Sequence, residues 1–137
     1  MSQPTTPGTN RLPEILVTRG EHARLMTLAE HALDRNKSVA TAERLLDELS
    51  RARVVADDAL PDDTIAVGRE IDYLDQTSGR THTVRLVNPP DANIDAGRIS
   101  VLSPIGAALL GLSVGQTIDW PVPDGSLRRV EVRAVRS

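Results

Sequence analysis

The chain has 137 residues with a net charge of -3, no Cys, no Phe, one Trp and one Tyr. That length supports one modest core, and with 1% aromatics against 39% hydrophobic residues the core must be built from Leu, Val, Ile and Ala. Aromatic-lined pockets and base-stacking platforms are excluded by the same count, and zero Cys excludes disulfides, thiolate metal sites and thiol nucleophiles.

In chain order, residues 1–13 are rich in Pro and Thr and offer little to bury, so they read as a disordered tail. They lack the basic start and apolar run of a signal peptide, and no stretch of about 18 apolar residues occurs, so the expectation is a cytoplasmic protein without a membrane anchor. Ile15-Leu16-Val17 ends at Thr18, which with Glu21 forms the Thr-x-x-Glu pattern of a helix start. Leu25, Leu28, Ala29, Ala32 and Leu33 then form one apolar stripe.

The polar break at 34–38 stops that helix. A second stripe follows, with Ala42, Leu45, Leu46, Leu49 and Ala52 on one face and Glu43, Arg44, Asp47, Glu48 and Arg51 on the other. Two such helices joined by a short loop make an antiparallel hairpin over 14–58, which either packs on the rest of the fold or projects as an arm. Asp57 to Asp63, with Pro61 among its acids, reads as a linker, assigned to 59–63.

Beyond it the period changes to two. Ile71, Tyr73 and the run 81–87 read as a hairpin, Ile99 to Leu102 as a further strand, and Thr117 to Trp120 and Leu127 to Val135 as a last pair turning at Pro123-Asp124-Gly125. Ser103-Pro104 suits a helix start and Gly111 its stop. The expected class is α+β: a helical hairpin (14–58), then over 64–137 an antiparallel sheet of about five strands with one short helix. Ile99, Val101, Ile105, Leu109 and Ile118 are its expected core, and Trp120 reads as core too.

Chemistry is sparse. His22 and His31 are nine residues apart and fall on opposite helix faces, and His82 stands alone. Asp57-Asp58 and Asp62-Asp63 decorate a linker, and Ser103 lacks a nucleophile elbow or a partner His. The glycines at 106, 111 and 115 match no phosphate loop, and the basic residues are dispersed among acids. No catalytic residue, metal or cofactor is expected, and no specific nucleic acid partner.

One segment is more specific. Ile99 to Gln116, containing Ser103-Pro104-Ile105-Gly106-Ala107-Ala108-Leu109-Leu110-Gly111 and Val114-Gly115, followed by a Trp-bearing strand and Pro123-Asp124-Gly125, resembles the C-terminal signature of the Gre transcript-cleavage factor family. The likeness is strongest to its Rnk branch. The resemblance implies an FKBP-like sheet domain and a bacterial protein docking on RNA polymerase near the secondary-channel rim, as a monomer.

It further implies Ser103, Pro104, Leu102 and Ile105 as polymerase contacts, and Asp34, Arg35 and Lys37 as the hairpin tip. Gre tips present acids that help hold a catalytic magnesium, whereas this tip has one acid, Asp34, among the cations Arg35 and Lys37, on a shorter arm. Leu102 stands where some Gre proteins carry an acid. The expectation is therefore a non-catalytic regulator able to compete with Gre factors. The alternatives are a Gre-like cleavage factor and a generic interaction module. Prolyl isomerisation, which the FKBP-like fold invites, fails for want of aromatics beyond Tyr73 and Trp120.

Overall fold

A computed structural model describes residues 14–121 and 127–137, without the side chains of Trp120 and Pro121. The tail over 1–13, the turn at Pro123-Asp124-Gly125 and the core role of Trp120 lie outside the described residues. Among those described, no helix is long and apolar enough to cross a membrane.

A short strand β1 (Leu16–Thr18) leads into helix α1 (Arg19–Asp34). Thr18 caps that helix: its Oγ1 accepts from the Glu21 N–H at 3.1 Å. The reciprocal half of the capping box is absent, because Glu21 Oε2 accepts instead from the Val67 N–H at 3.3 Å, 46 residues away. Asp57 takes a share of the capping, accepting from the Gly20 N–H at 2.9 Å, so one acid of the expected linker holds the start of α1.

The polar break works through backbone geometry. Asn36 sits at φ 55, its N–H bonds the Leu33 carbonyl at 2.9 Å, and the Lys37 N–H bonds the Ala32 carbonyl at 2.8 Å. This is a Schellman closure with Asn in the left-handed position usually held by Gly. Helix α2 (Val39–Ser50) then returns along α1. Leu25, Ala29 and Ala32 of α1 and Ala42, Leu45 and Leu49 of α2 are buried, and each fully buried Leu contributes about 2 kcal/mol. His22 Nε2 lies 3.0 Å from the Leu49 carbonyl near the end of α2.

One side chain departs from the expected polar face. Glu48 is buried, with Oε1 2.8 Å from Arg51 Nη2 and Oε2 unpartnered. The reason is that α2 is covered by α1 on one side and by α3 on another, so a residue just beyond the apolar stripe is also enclosed. After α2, strand β2 (Arg53–Val55) pairs in parallel with β1, an element with no period-2 signal at three residues.

The larger sheet contains β3 (Glu70–Asp75), β4 (Arg80–Val87), β5 (Arg98–Ser100), β6 (Thr117–Pro121) and β7 (Leu127–Arg136) in the order β5-β4-β3-β7-β6. The expected α+β class and five strands hold. Three pairings are antiparallel, as predicted, whereas β5 runs parallel to β4. Two 3-10 turns, Pro89–Asp91 and Ile94–Ala96, carry the chain back so that β5 starts beside Arg85. Asp75 fastens the β3–β4 turn to β7: Oδ1 accepts from the Thr77 and Ser78 N–H groups, and Oδ2 pairs with Arg128 at 2.8 Å.

Helix α3 (Pro104–Leu109) covers the sheet. Val101, Leu109 and Ile118 are buried as expected, with Ile99 and Ile105 packed against the same cluster. That cluster is continuous with the α1–α2 seam, so the helical hairpin packs on the sheet half and does not project. A backbone bond joins the two halves, Leu16 N–H to the Gly111 carbonyl at 3.1 Å, and Gly111 is itself held within the sheet half by its N–H to the Ile65 carbonyl at 3.0 Å.

Glu21 makes this junction sensitive to pH. Burial raises its pKa above the ordinary value, against the Val67 hydrogen bond and the attraction of Arg24 and Arg69. Burial raises Glu48 in the same way. A carboxyl that binds its proton more tightly when folded stabilises the protein most below its unfolded pKa, and that contribution is lost as pH rises through the folded value. Asp75 has the opposite sign: burial opposes its charge, but Arg128 and the Ser78 and Thr77 N–H groups outweigh it and lower its pKa. Its contribution is lost only as the solution becomes more acidic than the ordinary Asp range.

We expect Glu21→Gln to be more stable relative to wild type at pH 7.5 than at pH 4.5, read as the shift of the urea midpoint at the two pH values, estimated as on the order of several tenths of a kcal/mol or more. A difference that does not change with pH would show that Glu21 titrates normally.

Candidate functional site

The signature segment folds into a tight β5–α3 turn. Ser103 caps α3 as its place before Pro104 predicts: Oγ accepts from the Gly106 N–H at 3.1 Å and donates to the Ser100 carbonyl at 2.7 Å. Ser100 Oγ in turn accepts from the Leu102 N–H at 2.9 Å. Both hydroxyls thus brace the turn, and what it presents outward is Pro104, exposed, with Leu102, Ser103 and Ile105 half-buried beside it.

Gly106 explains why the turn can be so close. A Cβ built there would lie 2.0 Å from the Ser100 carbonyl oxygen and 2.9 Å from Ser103 Oγ, so only Gly fits. Gly111, at φ 79, ends the segment against Ile15, where an added Cβ would come within 2.4 Å of the Ile15 Cβ. One glycine shapes the turn and the other seats the helical half against it.

The expected hairpin tip lies at this turn. A cleft of about 540 Å³ runs between the end of α1 and the segment around β5. Leu28, His31, Arg35, Lys37 and Ser38 form one wall, and Pro89, Pro90, Ser100, Leu102 and Ser103 form the other, with Ala32 also in the lining. Two groups of candidates that are about 65 residues apart in sequence therefore share one cleft. Asp34, Pro104 and Ile105 do not line it. Asp34, Arg35 and Lys37 are all exposed.

Pro89 and Pro90 join the cleft although nothing in the sequence singles them out. Pro89-Pro90 reads from sequence only as the end of a strand, and its role in the cleft depends on the 3-10 turn that aims it at α1. The histidines remain scattered. His22 faces the end of α2, His31 the cleft, and His82 stacks on Tyr73 with ring centroids 5.2 Å apart. Among the described residues no cluster of three His, Asp or Glu side chains is placed to hold a metal ion.

Two family models match the chain. The C-terminal model of the transcription elongation factors GreA and GreB covers residues 60–137, and the Rnk N-terminus model covers residues 13–55. A transcription elongation factor GreA of Rhodospirillum rubrum is 38% identical over 119 residues, spanning 85% of this chain and 75% of the relative. A regulator of nucleoside diphosphate kinase of Escherichia coli K12 is 30% identical over 120 residues, spanning 88% of this chain and 87% of the relative.

Among solved structures, a prokaryotic transcription elongation factor GreA/GreB from Nitrosomonas europaea superposes with a TM-score of 0.71 at 31% identity, covering 91% of this chain and 99% of the other. The signature turn, the helical hairpin packed beside it and these matches over both halves place the chain in the GreA/GreB family of transcription elongation factors, with an N-terminus of the Rnk type.

Proposed function

We propose that this protein is a non-catalytic, cytoplasmic regulator of transcription of the Rnk type that docks, as a monomer, on RNA polymerase near the secondary-channel rim and competes there with Gre factors. Its domains are the helical hairpin (14–58), the acidic linker (59–63) and the Gre C-terminal-like domain (64–137). The contact residues are Ser103, Pro104, Leu102 and Ile105, with Asp34, Arg35 and Lys37 at the hairpin tip.

The observation that carries this reading is the position of the tip. Arg35 and Lys37 line the same cleft as Leu102 and Ser103, so the tip lies beside the docking turn instead of reaching away from it. Helices of 16 and 12 residues span about 24 and 18 Å. A lone carboxylate, Asp34, on so short an arm is a poor ligand for a magnesium ion, which also demands near-octahedral geometry.

The experiment is co-sedimentation of the full chain with core RNA polymerase, together with competition against a Gre factor in a transcript-cleavage assay. Binding with inhibition of Gre-stimulated cleavage is expected. Absence of binding would sink the proposal. Cleavage stimulated by this chain and abolished by Asp34→Ala would make it a cleavage factor instead.

A further inference from the structure

We propose that the cleft between the end of α1 and the β5–α3 turn is itself the docking groove, and that it takes an acidic segment bearing apolar side chains on the polymerase surface. This rests on the functional reading above and specifies the chemistry of the partner at that site.

The argument is one of complementarity between two unlike walls. The wall around β5 carries no charged side chain: Ser103 donates its hydroxyl proton within the turn and Ser100 Oγ accepts from the Leu102 N–H, so Pro89, Pro90 and Leu102 dominate its recognition surface, with the Ser100 hydroxyl as a polar group beside them. Such a wall holds apolar side chains and discriminates little by charge. The helical wall is different. Leu28 continues the apolar floor, while Arg35 and Lys37 stand exposed at its end.

Among the described residues, no carboxylate lies within 4.0 Å of either cation. Asp34, the nearest acid in sequence, is not part of the lining. The groove therefore combines an apolar floor with a positive end, and its complement is a segment that places carboxylates against Arg35 and Lys37 and one or two apolar residues against Leu28 and Leu102.

The two walls also divide the kinetics. Exposed cations at the end of a groove steer encounter and give salt dependence, whereas the apolar wall sets the lifetime of the complex. The signature turn alone, with Leu102 in place of an acid, implies binding that is nearly indifferent to salt. With Arg35 and Lys37 in the same groove, binding weakens as salt rises.

The test measures the affinity of the full chain for core RNA polymerase from low to high salt, for wild type and for the double variant Arg35→Glu/Lys37→Glu, with circular dichroism confirming that the variant folds. The variant is expected to bind about tenfold more weakly at low salt and to lose the wild-type salt dependence. In parallel, p-benzoylphenylalanine in place of exposed Pro90 is crosslinked to polymerase, and the captured segment should contain Asp or Glu interleaved with apolar residues.

Wild-type binding that the charge reversal leaves unchanged overturns the inference while sparing the functional reading, as does a captured segment that is basic or a crosslink to nucleic acid. Failure of the wild type to bind polymerase overturns both.

Discussion

Gly106→Ala is expected to destabilise the protein by about 3 kcal/mol or more, read as a lowered urea midpoint. The new methyl group would sit 2.0 Å from the Ser100 carbonyl oxygen and 2.9 Å from the carbonyl carbon. These are backbone atoms, so no rotamer change relieves the overlap. The Ser100 carbonyl is also the acceptor for the Ser103 N–H and hydroxyl. Moving it breaks the turn that caps α3 and displaces Leu102 from the cleft wall. Under the proposed docking role, affinity for RNA polymerase should therefore fall together with stability. A variant within about 0.5 kcal/mol of wild type, the ordinary range for an uncrowded surface site, would show that α3 does not press on β5 as described.

Gly111→Ala is the second large effect, on the order of 2–4 kcal/mol. Two penalties combine. At φ 79 an L-residue carries the left-handed backbone cost, and its Cβ would lie 2.4 Å from the Ile15 Cβ and 3.2 Å from the Ile15 Cα. Because the contact is with Cβ itself, shortening the neighbour does not help: Ile15→Ala leaves that atom in place and should not rescue Gly111→Ala.

The damage should be local in its first appearance. Gly111 exchanges backbone bonds with Leu16 and Ile65, so the variant should loosen the helical half from the sheet half, seen as faster amide exchange in α1 and α2 than in β3 and β7. Uniform exchange in all four elements would show instead that the two halves unfold as one unit.

Much of the fold is legible in the residues because it follows from local rules. Thr18 and Ser103 start helices, since each side-chain oxygen can reach an orphan amide within one turn. The stripes on α1 and α2 and the alternation in β7 report which faces are buried. What escapes this reading has a shared cause. Glu21 fits a capping box, yet its carboxylate serves Val67; β2 has only three residues, and its existence depends on β1 lying alongside. In each case the partner is distant in sequence, and periodicity carries no information about it.

The candidate site divides in the same way. Residues 99–116 show a turn before a short capped helix, and their resemblance to a known family supplies the expectation of a docking role. That Gly106 is a point of contact between backbones, and Gly111 a seat for Ile15, depends on which atoms the fold brings within van der Waals distance.

The sequence by itself determined the α+β class, an aliphatic core, two capped helices and the lone acid Asp34 just before Arg35 and Lys37, because all of these are consequences of residue type and spacing. Only the tertiary structure decided that the hairpin lies against the sheet, so that Arg35 and Lys37 face Leu102 and Pro90 across one cleft. The physical reason is that apolar stripes specify that a face must be covered but not by what; the covering surface is chosen by close packing at Gly111 and by the Glu21–Val67 bond, contacts between residues 46 or more positions apart.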